Sequence, residues 1–463
     1  MRSQFLKRYI GDKAFYKSVM ALTMPIMIQN GITHLVNMLD NIMVGSVGTV
    51  EMNGVTIANQ LLFVFNLCIF GAVGGAGIFG AQYAGSKDVT GITYTMRFKL
   101  FFCTFLALVG IGVFSLWPEP LIGLYLQGEG NPADAAASLT LAKEYLGVML
   151  IGMIPFALSQ CYSSTLRETG LSTPPMVAGV IAVVVNLIGN YILIFGHFGA
   201  PQMGVVGAAI ATVVSRFVEL GILAIWTHTH GEKNPFVYKL YHSPRIPLRL
   251  VGQIFWRGLP LMANEAAWSL GFVTLNQQYS LRALDVVSAN NISHTFWNVF
   301  AVSFMAVGIA VGIILGQELG AGDKEKARED SRKLIGLSVA LGVAVMLVYS
   351  VAAFFIPYLY NTTDSIRHLA TQLMLICAVF MPVDAYAHAA YFTLRSGGQA
   401  FITFLFDSCF MWVFNLPLVF VLINFTSLPI ITVFILSQCT NILKCILGGW
   451  LVHKGIWIKT IVE

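Results

Sequence analysis

A carboxylate stands in an apolar stretch near the start of the chain, in the segment LVNMLDNIMVG at 35–45. On a helix, spacings of four, three and four residues place four polar side chains on one face beside Asp40: Asn30, His34, Asn37 and Asn41. A carboxylate at the centre of a membrane helix costs about 2.5 to 3.5 kcal/mol on insertion scales. A neutral asparagine would join helices without that cost, so Asp40 is predicted to bind a cation or a proton.

Asparagine amides recur later, where Asn186 and Asn190 lie four residues apart in the segment NLIGNYILIFG. Amide oxygens beside a carboxylate form a set of hard ligands suited to Na⁺. The same groups equally form a hydrogen-bonding shell for a carboxyl that binds and releases a proton. The residues leave both ions open, and no metal site is predicted beyond a possible Na⁺ at Asp40 or Asp384.

The second half carries its own acids. Asp384 lies in MPVDAYAHAAYFTLR with His388 one turn later, and Glu265 lies in LPLMANEAAWSLG. The two acids are predicted to share a proton or cation across two helices. A hydrogen-bonded buried histidine is the alternative for His388. Asp407 is a second-choice acid that could snorkel or cap a helix.

Aromatic and polar side chains could line a cavity for a planar cation, although lipid-facing aromatics are the alternative. The residues predicted to line a substrate cleft are Asn37, His34, Trp268, His388 and Phe63.

These residues must be positioned by membrane helices. Of the 463 residues, 57% are hydrophobic and only 11% are charged, about half the charged fraction of a soluble domain. Apolar stretches of roughly 20 residues are long enough to cross a bilayer as helices. The sequence predicts an all-α integral membrane protein with twelve spans, at 16–42, 53–83, 96–117, 138–162, 173–196, 204–228, 253–280, 291–318, 333–357, 367–393, 402–424 and 428–453.

Basic residues are concentrated in alternate loops and the span ends beside them, for example Lys87, Arg97 and Lys99 between the end of the second predicted span and the first residues of the third. Because Lys and Arg are retained in cytoplasmic loops, both termini are predicted to be cytoplasmic. This asymmetry explains the net charge of +5 without a nucleic-acid partner. All seven cysteines fall inside predicted spans, and we interpret them as small apolar side chains.

The two halves of the sequence repeat. MPIMIQN at 24–30 matches LPLMANE at 259–265, and QYAGSKD at 82–88 matches QELGAGD at 317–323, both at a displacement of 235 positions. Six spans per half give both halves the same orientation, so substrate is expected between them near the midplane. The predicted parts are an N-lobe at 1–228, a cytoplasmic connector at 229–252 and a C-lobe at 253–463.

The chain resembles the multidrug and toxic compound extrusion (MATE) family over essentially its whole length. The matching segments are MPIMIQNGITHLVNMLDNIMVG, NLIGNYILIFG, MGVVGAAIAT, QELGAGD and PVDAYAHAAYFTLR. The resemblance implies an antiporter that rocks two six-helix lobes around a cleft and exchanges organic cations or amphipathic drugs for Na⁺ or protons.

The resemblance also implies roles for individual residues. Asp40 corresponds to the first-helix acid of the N-lobe cation site, and Asn186 and Asn190 correspond to its fifth-helix partners. Asp384 corresponds to the tenth-helix acid of the C-lobe. Glu265 lies about one turn before the place where some members keep a seventh-helix acid, and Trp268 occupies that place.

We therefore expect a monomeric inner-membrane exporter of small organic molecules that uses no cofactor and is coupled to H⁺ or Na⁺. A flippase for lipid-linked saccharides is the alternative, although it would favour a cationic cleft. An enzyme is not expected, because the sequence contains neither H-E-x-x-H nor G-x-S-x-G.

Overall fold

A computed structural model of the chain describes residues 9–126, 132–282, 284–360 and 362–462, apart from the side chains at 37, 38, 41, 42, 49, 132 and 284. The helices of the first half are α1 Lys13–Gly45, α2 Thr49–Gly85, α3 Val89–Leu116, α4 Pro118–Gly123, α5 Pro132–Ile151, α6 Met153–Glu168, α7 Thr173–Phe195 and α8 Gly204–Thr229. Those of the second half are α9 Leu248–Ser280, α10 Leu284–Gly320, α11 Lys324–Ala352, α12 Asp364–Ser396, α13 Ala400–Phe404, α14 Leu416–Phe425 and α15 Ile430–Lys454. Two π-helical turns, Leu405–Cys409 and Met411–Asn415, join α13 to α14. The described residues form no strand, so the predicted all-α fold is confirmed.

By length and composition alone, the described part of the chain has fewer spans than the twelve predicted. In the described part of the chain, ten helices are long and apolar enough to cross a membrane, and a bent helix pair makes an eleventh. The seventh predicted span, 253–280, lies within α9, which has 33 residues. The polar side chains of α9, including Asn264, Glu265 and Asn276, lower its mean hydropathy, so this helix does not qualify on composition.

The fourth predicted span, 138–162, is not one straight helix. The pair α5 and α6 is bent by 48° at Gly152. The Gly152 N–H donates to Met149 O at 3.0 Å, three residues back rather than four, which interrupts the regular helical ladder. The sequence prediction missed this break because the apolar run continues through it.

The internal repeat appears in the helix bounds. α1 (Lys13–Gly45) and α9 (Leu248–Ser280) begin and end at positions separated by 235 residues. The same separation relates α2 (Thr49–Gly85) to α10 (Leu284–Gly320). The displacement found in two short sequence matches therefore extends over whole helices.

The turns that follow these repeated helices also correspond. Lys87 and Gly322, again 235 positions apart, both have a left-handed backbone, with φ of 58° and 83°. Each is followed by an N-cap aspartate, Asp88 or Asp323, whose side chain accepts a hydrogen bond from a backbone N–H of the next helix. The matched segments QYAGSKD and QELGAGD thus encode the same helix–turn–helix geometry.

Arg97 and Lys99 correct the loop assignment made from the sequence. α3 begins at Val89, so both residues lie inside the helix, and both are buried. Arg97 donates from Nε to Leu240 O at 2.8 Å and from Nη1 to Arg245 O at 3.0 Å, and thereby holds the segment that connects α8 to α9.

The chain forms two compact units. The C-unit contains the chain up to Met27, Ala81–Lys87, and the chain from Trp256 onwards; the N-unit contains Ile28–Gly80 and Asp88–Phe255. The helix α1 therefore contributes its beginning to the C-unit and its end to the N-unit. Each unit has its own buried apolar core.

Two repeated helix ends approach each other closely within the C-unit. A Cβ atom at Gly85 would lie 1.8 Å from Gln317 O, and one at Gly320 would lie 1.9 Å from Gln82 O. The contact is reciprocal, because Gln82 and Gln317 are equivalent positions of the repeat, as are the two glycines. Only glycine allows two backbones to come this close.

Gln82 also binds the end of the chain. Its Nε2 donates to Ser396 O and to Lys459 O, each at 3.1 Å, and its Oε1 accepts from the Ile461 N–H at 2.8 Å. The Gln82 side chain is fully buried. The segment after α15 is therefore fastened to the end of α2 inside the C-unit.

Gly85→Ala and Gly320→Ala are each expected to lower the stability of the protein by about 1 to 3 kcal/mol, because the added methyl group meets backbone oxygen rather than a movable side chain. Gly112→Ala in α3 is the control, since nothing lies within 4 Å of its Cβ position, and alanine is expected there to be neutral or stabilising. Thermal unfolding of the purified protein in detergent measures the difference. A wild-type midpoint for both variants would contradict the close approach.

Candidate functional site

Asp40 lies on α1 and is half-buried. Its Oδ1 accepts a hydrogen bond of 2.7 Å from Asn190 Nδ2 on α7. Asn190 itself is 1% exposed. The acid and the amide predicted from the sequence to act together are thus in direct contact within the N-unit.

Asn186 completes the surroundings of this carboxylate. Its amide satisfies its neighbours when the nitrogen faces Asp40, at 2.9 Å from Oδ2, and the oxygen accepts from the Thr212 N–H and hydroxyl at 3.3 and 3.1 Å. Two amide N–H groups then face Asp40, and its carboxylate can accept a hydrogen bond from each of them.

Small residues allow α7 and α8 to place these groups together. A Cβ atom at Gly189 would lie 2.9 Å from the Ala211 Cβ, and one at Gly207 would lie 2.6 Å from Leu193 O. The close helix approach brings Thr212 of α8 within reach of Asn186 of α7. The site is therefore built on two tightly packed helices, with Asp40 supplied by a third.

One polar atom beside Asp40 has no hydrogen-bonding partner. Among the described residues, no donor reaches the buried Oδ1 of Asn190. An unpaired buried carbonyl oxygen normally has an explanation such as a water or an ion. Together with the Asp40 carboxylate, this oxygen belongs to the hard-ligand set that binds Na⁺.

The roles of the other predicted residues of the N-unit stay a prediction. His34 is exposed, and Phe63 is 45% exposed. The side chains of Asn37 and Asn41 lie outside the described part of the chain. The described site therefore consists of Asp40, Asn186, Asn190 and Thr212, of which the sequence analysis did not identify Thr212.

Asn190→Leu is expected to slow gradient-driven efflux about tenfold, because a hydrogen bond to a charged group contributes about 1.5 to 3 kcal/mol. Thr212→Val is the matched control: it keeps the shape of the side chain, touches Asp40 only through Asn186, and is expected to have a smaller effect. Initial efflux rates of both variants in proteoliposomes provide the comparison. Equal rates for Asn190→Leu and the wild type would show that Asp40 does not depend on this amide.

Asp384 on α12 accepts a hydrogen bond from α15. Its Oδ1 accepts from Asn441 Nδ2 on α15 at 3.2 Å, and the same nitrogen lies 3.2 Å from Gln438 Oε1. The described contacts of Asp384 do not include Glu265. The proposed sharing of a cation between Asp384 and Glu265 stays a prediction.

Glu265 and His388 lie near another acid. Glu265 interacts electrostatically with Asp407 and Arg395. His388 is close enough to Asp407 to interact with it as well. Asp407 therefore belongs to a polar cluster of the C-unit.

The cluster around Asp407 overturns its interpretation as a snorkelling or capping residue. Asp407 Oδ1 forms an ion pair with Lys444 Nζ on α15, and Asp407 Oδ2 accepts from Asn264 Nδ2 at 3.0 Å. Ser408 Oγ lies 2.7 Å from both Asn264 O and Asn264 Oδ1. The sequence analysis missed Lys444, although a lysine inside an apolar span is itself a signal of a partner.

Rings connect two of the predicted cleft residues in the C-unit. Successive ring centroids lie 4.4 to 6.2 Å apart along a series that consists of Trp268, Phe272, His294, Trp297, Phe304 and His388. Trp268 is 40% exposed at one end. Such rings present faces that attract organic cations.

The described part of the chain contains neither a cluster of metal-binding side chains nor a disulfide. No group of three or more His, Cys, Asp or Glu side chains there could hold a metal ion. The seven cysteines are free thiols.

Comparison with known proteins gives consistent matches over most of the chain. A family model described as MatE matches residues 25–192 and 260–421. The probable multidrug resistance protein NorM of Thermotoga maritima is 26% identical, over 99% of this chain and 97% of that protein. The multidrug resistance protein NorM of Vibrio parahaemolyticus is 25% identical, over 88% of this chain and 87% of its own.

Solved structures share the fold. An outward-facing multidrug resistance MATE family transporter of the MOP superfamily matches with a TM-score of 0.84, 19% identity and 97% coverage of both chains. A MOP superfamily transporter from Pyrococcus furiosus, described as having a binding pocket of reversed polarity that suggests a different function, also has a TM-score of 0.84, at 20% identity, and covers 98% of this chain and 99% of its own. These likenesses confirm the predicted two-lobe transporter fold.

Proposed function

Because the chain belongs to the MatE family, we propose that it is a secondary active exporter that exchanges amphipathic or cationic organic compounds for H⁺ or Na⁺. This proposal is supported by relatives that are named multidrug resistance proteins and that align with most of the chain. Members of the family are transporters rather than enzymes. The observation that carries the proposal is Asp40, a half-buried acid in an apolar helix, enclosed by the amides of Asn186 and Asn190.

Asp40 supplies the coupling in this proposal. A cation or proton that binds Asp40 more tightly in one arrangement of the lobes shifts the population toward that arrangement. Substrate that binds more tightly in the other arrangement shifts it back, so each ligand expels the other. We assign the movement to a rocker-switch exchange between an N-lobe at 1–228 and a C-lobe at 253–463, joined by a cytoplasmic connector at 229–252.

A proton and Na⁺ would use different groups of Asp40 and Asn190. The carboxylate alone accepts a proton, whereas Na⁺ would also use the unpaired Asn190 Oδ1. Asp384 beside Asn441 is the second acid proposed to respond to the ion. We place the protein in the inner or plasma membrane as a monomer, with both termini cytoplasmic and no cofactor other than the ion.

Ethidium efflux from proteoliposomes tests the proposed function, with a pH gradient and a Na⁺ gradient imposed separately on the wild type. Efflux driven by one gradient identifies the ion and supports exchange. Absence of efflux under either gradient contradicts the proposal and favours the alternative, a flippase for lipid-linked saccharides, which translocation of a fluorescent lipid analogue in the same vesicles would detect.

A further inference from the structure

Lys444 is a partly buried cation that the proposed coupling site does not use. It lies near the middle of α15 (Ile430–Lys454), ten residues before the helix end, or about 15 Å along the axis. At that depth a lysine side chain is too short to reach water along the helix. Its ammonium is instead held by the Asp407 carboxylate, with side chains 16% and 18% exposed.

The surroundings of the Lys444 ammonium are those that recognise organic cations. The Asp407 carboxylate contacts it on one side, and the Phe406 ring centroid lies 5.3 Å from Nζ on another. A carboxylate and an aromatic face together attract ammonium groups in general. Gly448 makes room for this ring, because a Cβ atom there would lie 2.7 Å from the Phe406 side chain.

Asp407 is also held by groups other than Lys444. Asn264 donates to Oδ2, leaving Oδ1 for the ammonium, and Ser408 fixes Asn264 by its own hydrogen bonds. Asp407 and Ser408 lie in a π-helical turn, a local widening of the helix that often occurs at functional sites. The carboxylate is thus pre-arranged for a cation whether or not that cation belongs to the chain.

We propose that Asp407 is a binding site for the positively charged group of an organic cation, and that Lys444 occupies this site as a tethered competitor when substrate is absent. The proposal rests on the function proposed above and names a second acid for it. Substrate displaces the Lys444 ammonium from Oδ1, takes its place against the Phe406 ring, and is released when Lys444 returns.

Displacement does not leave Lys444 without an acid. Asp384 lies close enough to Lys444 for the two charges to attract each other. Asn441, the hydrogen-bonding partner of Asp384, is one turn before Lys444 on α15. Asp384 is therefore a second acid within electrostatic range of the ammonium once substrate occupies Asp407.

Removal of the competitor gives a direct test. Lys444→Met is expected to lower the Kd of ethidium, measured by its fluorescence with purified full-length protein in detergent, by about tenfold or more, because a tethered group competes at a high effective concentration. Lys444→Arg keeps a tethered cation, so its Kd is expected within about threefold of wild type. Lys454→Met is the matched control, a lysine at the end of the same helix over the Trp450 ring, and is expected to change nothing.

The double variant Asp407→Asn/Lys444→Met separates the site from a general effect on the fold, since it removes both charges together and leaves no unpaired ion. Its Kd for ethidium is expected to return to the wild-type value or above. An unchanged or weaker Kd for Lys444→Met, or a tightened Kd that persists in the double variant, would overturn the proposal. If the wild type exports ethidium and the Kd of Lys444→Met equals that of the wild type, this inference fails and the proposed function stands. If Lys444→Met binds ethidium more tightly but the wild type shows no gradient-driven efflux, the proposed exchange fails and the binding site stands.

Discussion

Replacing Asp40 by Asn is expected to reduce gradient-driven efflux by at least about tenfold, within the range that a coupling free energy of about 1 to 3 kcal/mol allows. The amide cannot take up a proton or neutralise a cation, so occupancy of this site no longer distinguishes the two arrangements of the transporter. The fold is expected to survive, because the substitution keeps the shape of the side chain and removes a charge from an apolar helix. Efflux rate and unfolding temperature are measured on the same preparation.

Two further variants make that result specific. Asp364→Asn removes an acid whose side chain is 93% exposed and paired with Arg367, and efflux is expected to stay at the wild-type rate. Asp384→Asn tests the acid of the C-unit beside Asn441. A loss in Asp40→Asn alone assigns the coupling to the N-unit, and efflux at full rate in Asp40→Asn would remove Asp40 from the mechanism.

Lys99→Met is expected to cause a large loss of stability, about 3 to 5 kcal/mol, because it leaves a buried carboxylate without its counter-ion. Lys99 Nζ lies 2.6 Å from both carboxylate oxygens of Glu168, and the two side chains are 0% and 6% exposed. The carboxylate occupies space that glycine provides: a Cβ atom at Gly80 would lie 2.0 Å from Glu168 Oε2, and one at Gly77 would lie 2.7 Å from Oε1.

The double variant Lys99→Met/Glu168→Leu should recover most of that stability, since replacement of a buried pair by apolar side chains is often neutral. Lys143→Met breaks an exposed pair with Glu119, with side chains 40% and 63% exposed, and serves as the control with an unfolding temperature expected close to that of the wild type. Thermal unfolding in detergent compares the four proteins. A wild-type unfolding temperature for Lys99→Met would show that the pair does not stabilise the N-unit.

The sequence predicts much of the fold because the helical pattern and the repeat are local properties. The matches at a displacement of 235 anticipate helices with the same bounds in both halves, down to the aspartate caps Asp88 and Asp323. The Asp40 site is also predictable in part. Asn186 and Asn190 lie one helical turn apart, so one face of α7 presents both amides to the same acid.

The pairings that the sequence does not predict depend on how helices rotate and pack. Asp407 meets Lys444 across 37 positions, and the π-helical turn at Leu405–Cys409 departs from the regular period of 3.6 residues on which helix-face arguments rest. The sequence analysis groups Lys99 with the basic residues of a cytoplasmic loop at the start of the predicted span 96–117, whereas α3 begins at Val89, seven residues before that start. The counter-ion of Lys99, the buried Glu168, can be identified only from the packing of α3 against α6.

Ion movement driven by substrate alone is the most direct test of exchange at Asp40. Proteoliposomes are loaded with ethidium, diluted into medium without it and without any imposed ion gradient, and the entry of H⁺ or Na⁺ is recorded with an internal fluorescent indicator. Our account predicts that outward ethidium movement drives the ion inward in the wild type and that this flux is lost in Asp40→Asn. Ethidium efflux without an opposing flux of either ion, or an equal flux in Asp40→Asn, would contradict it.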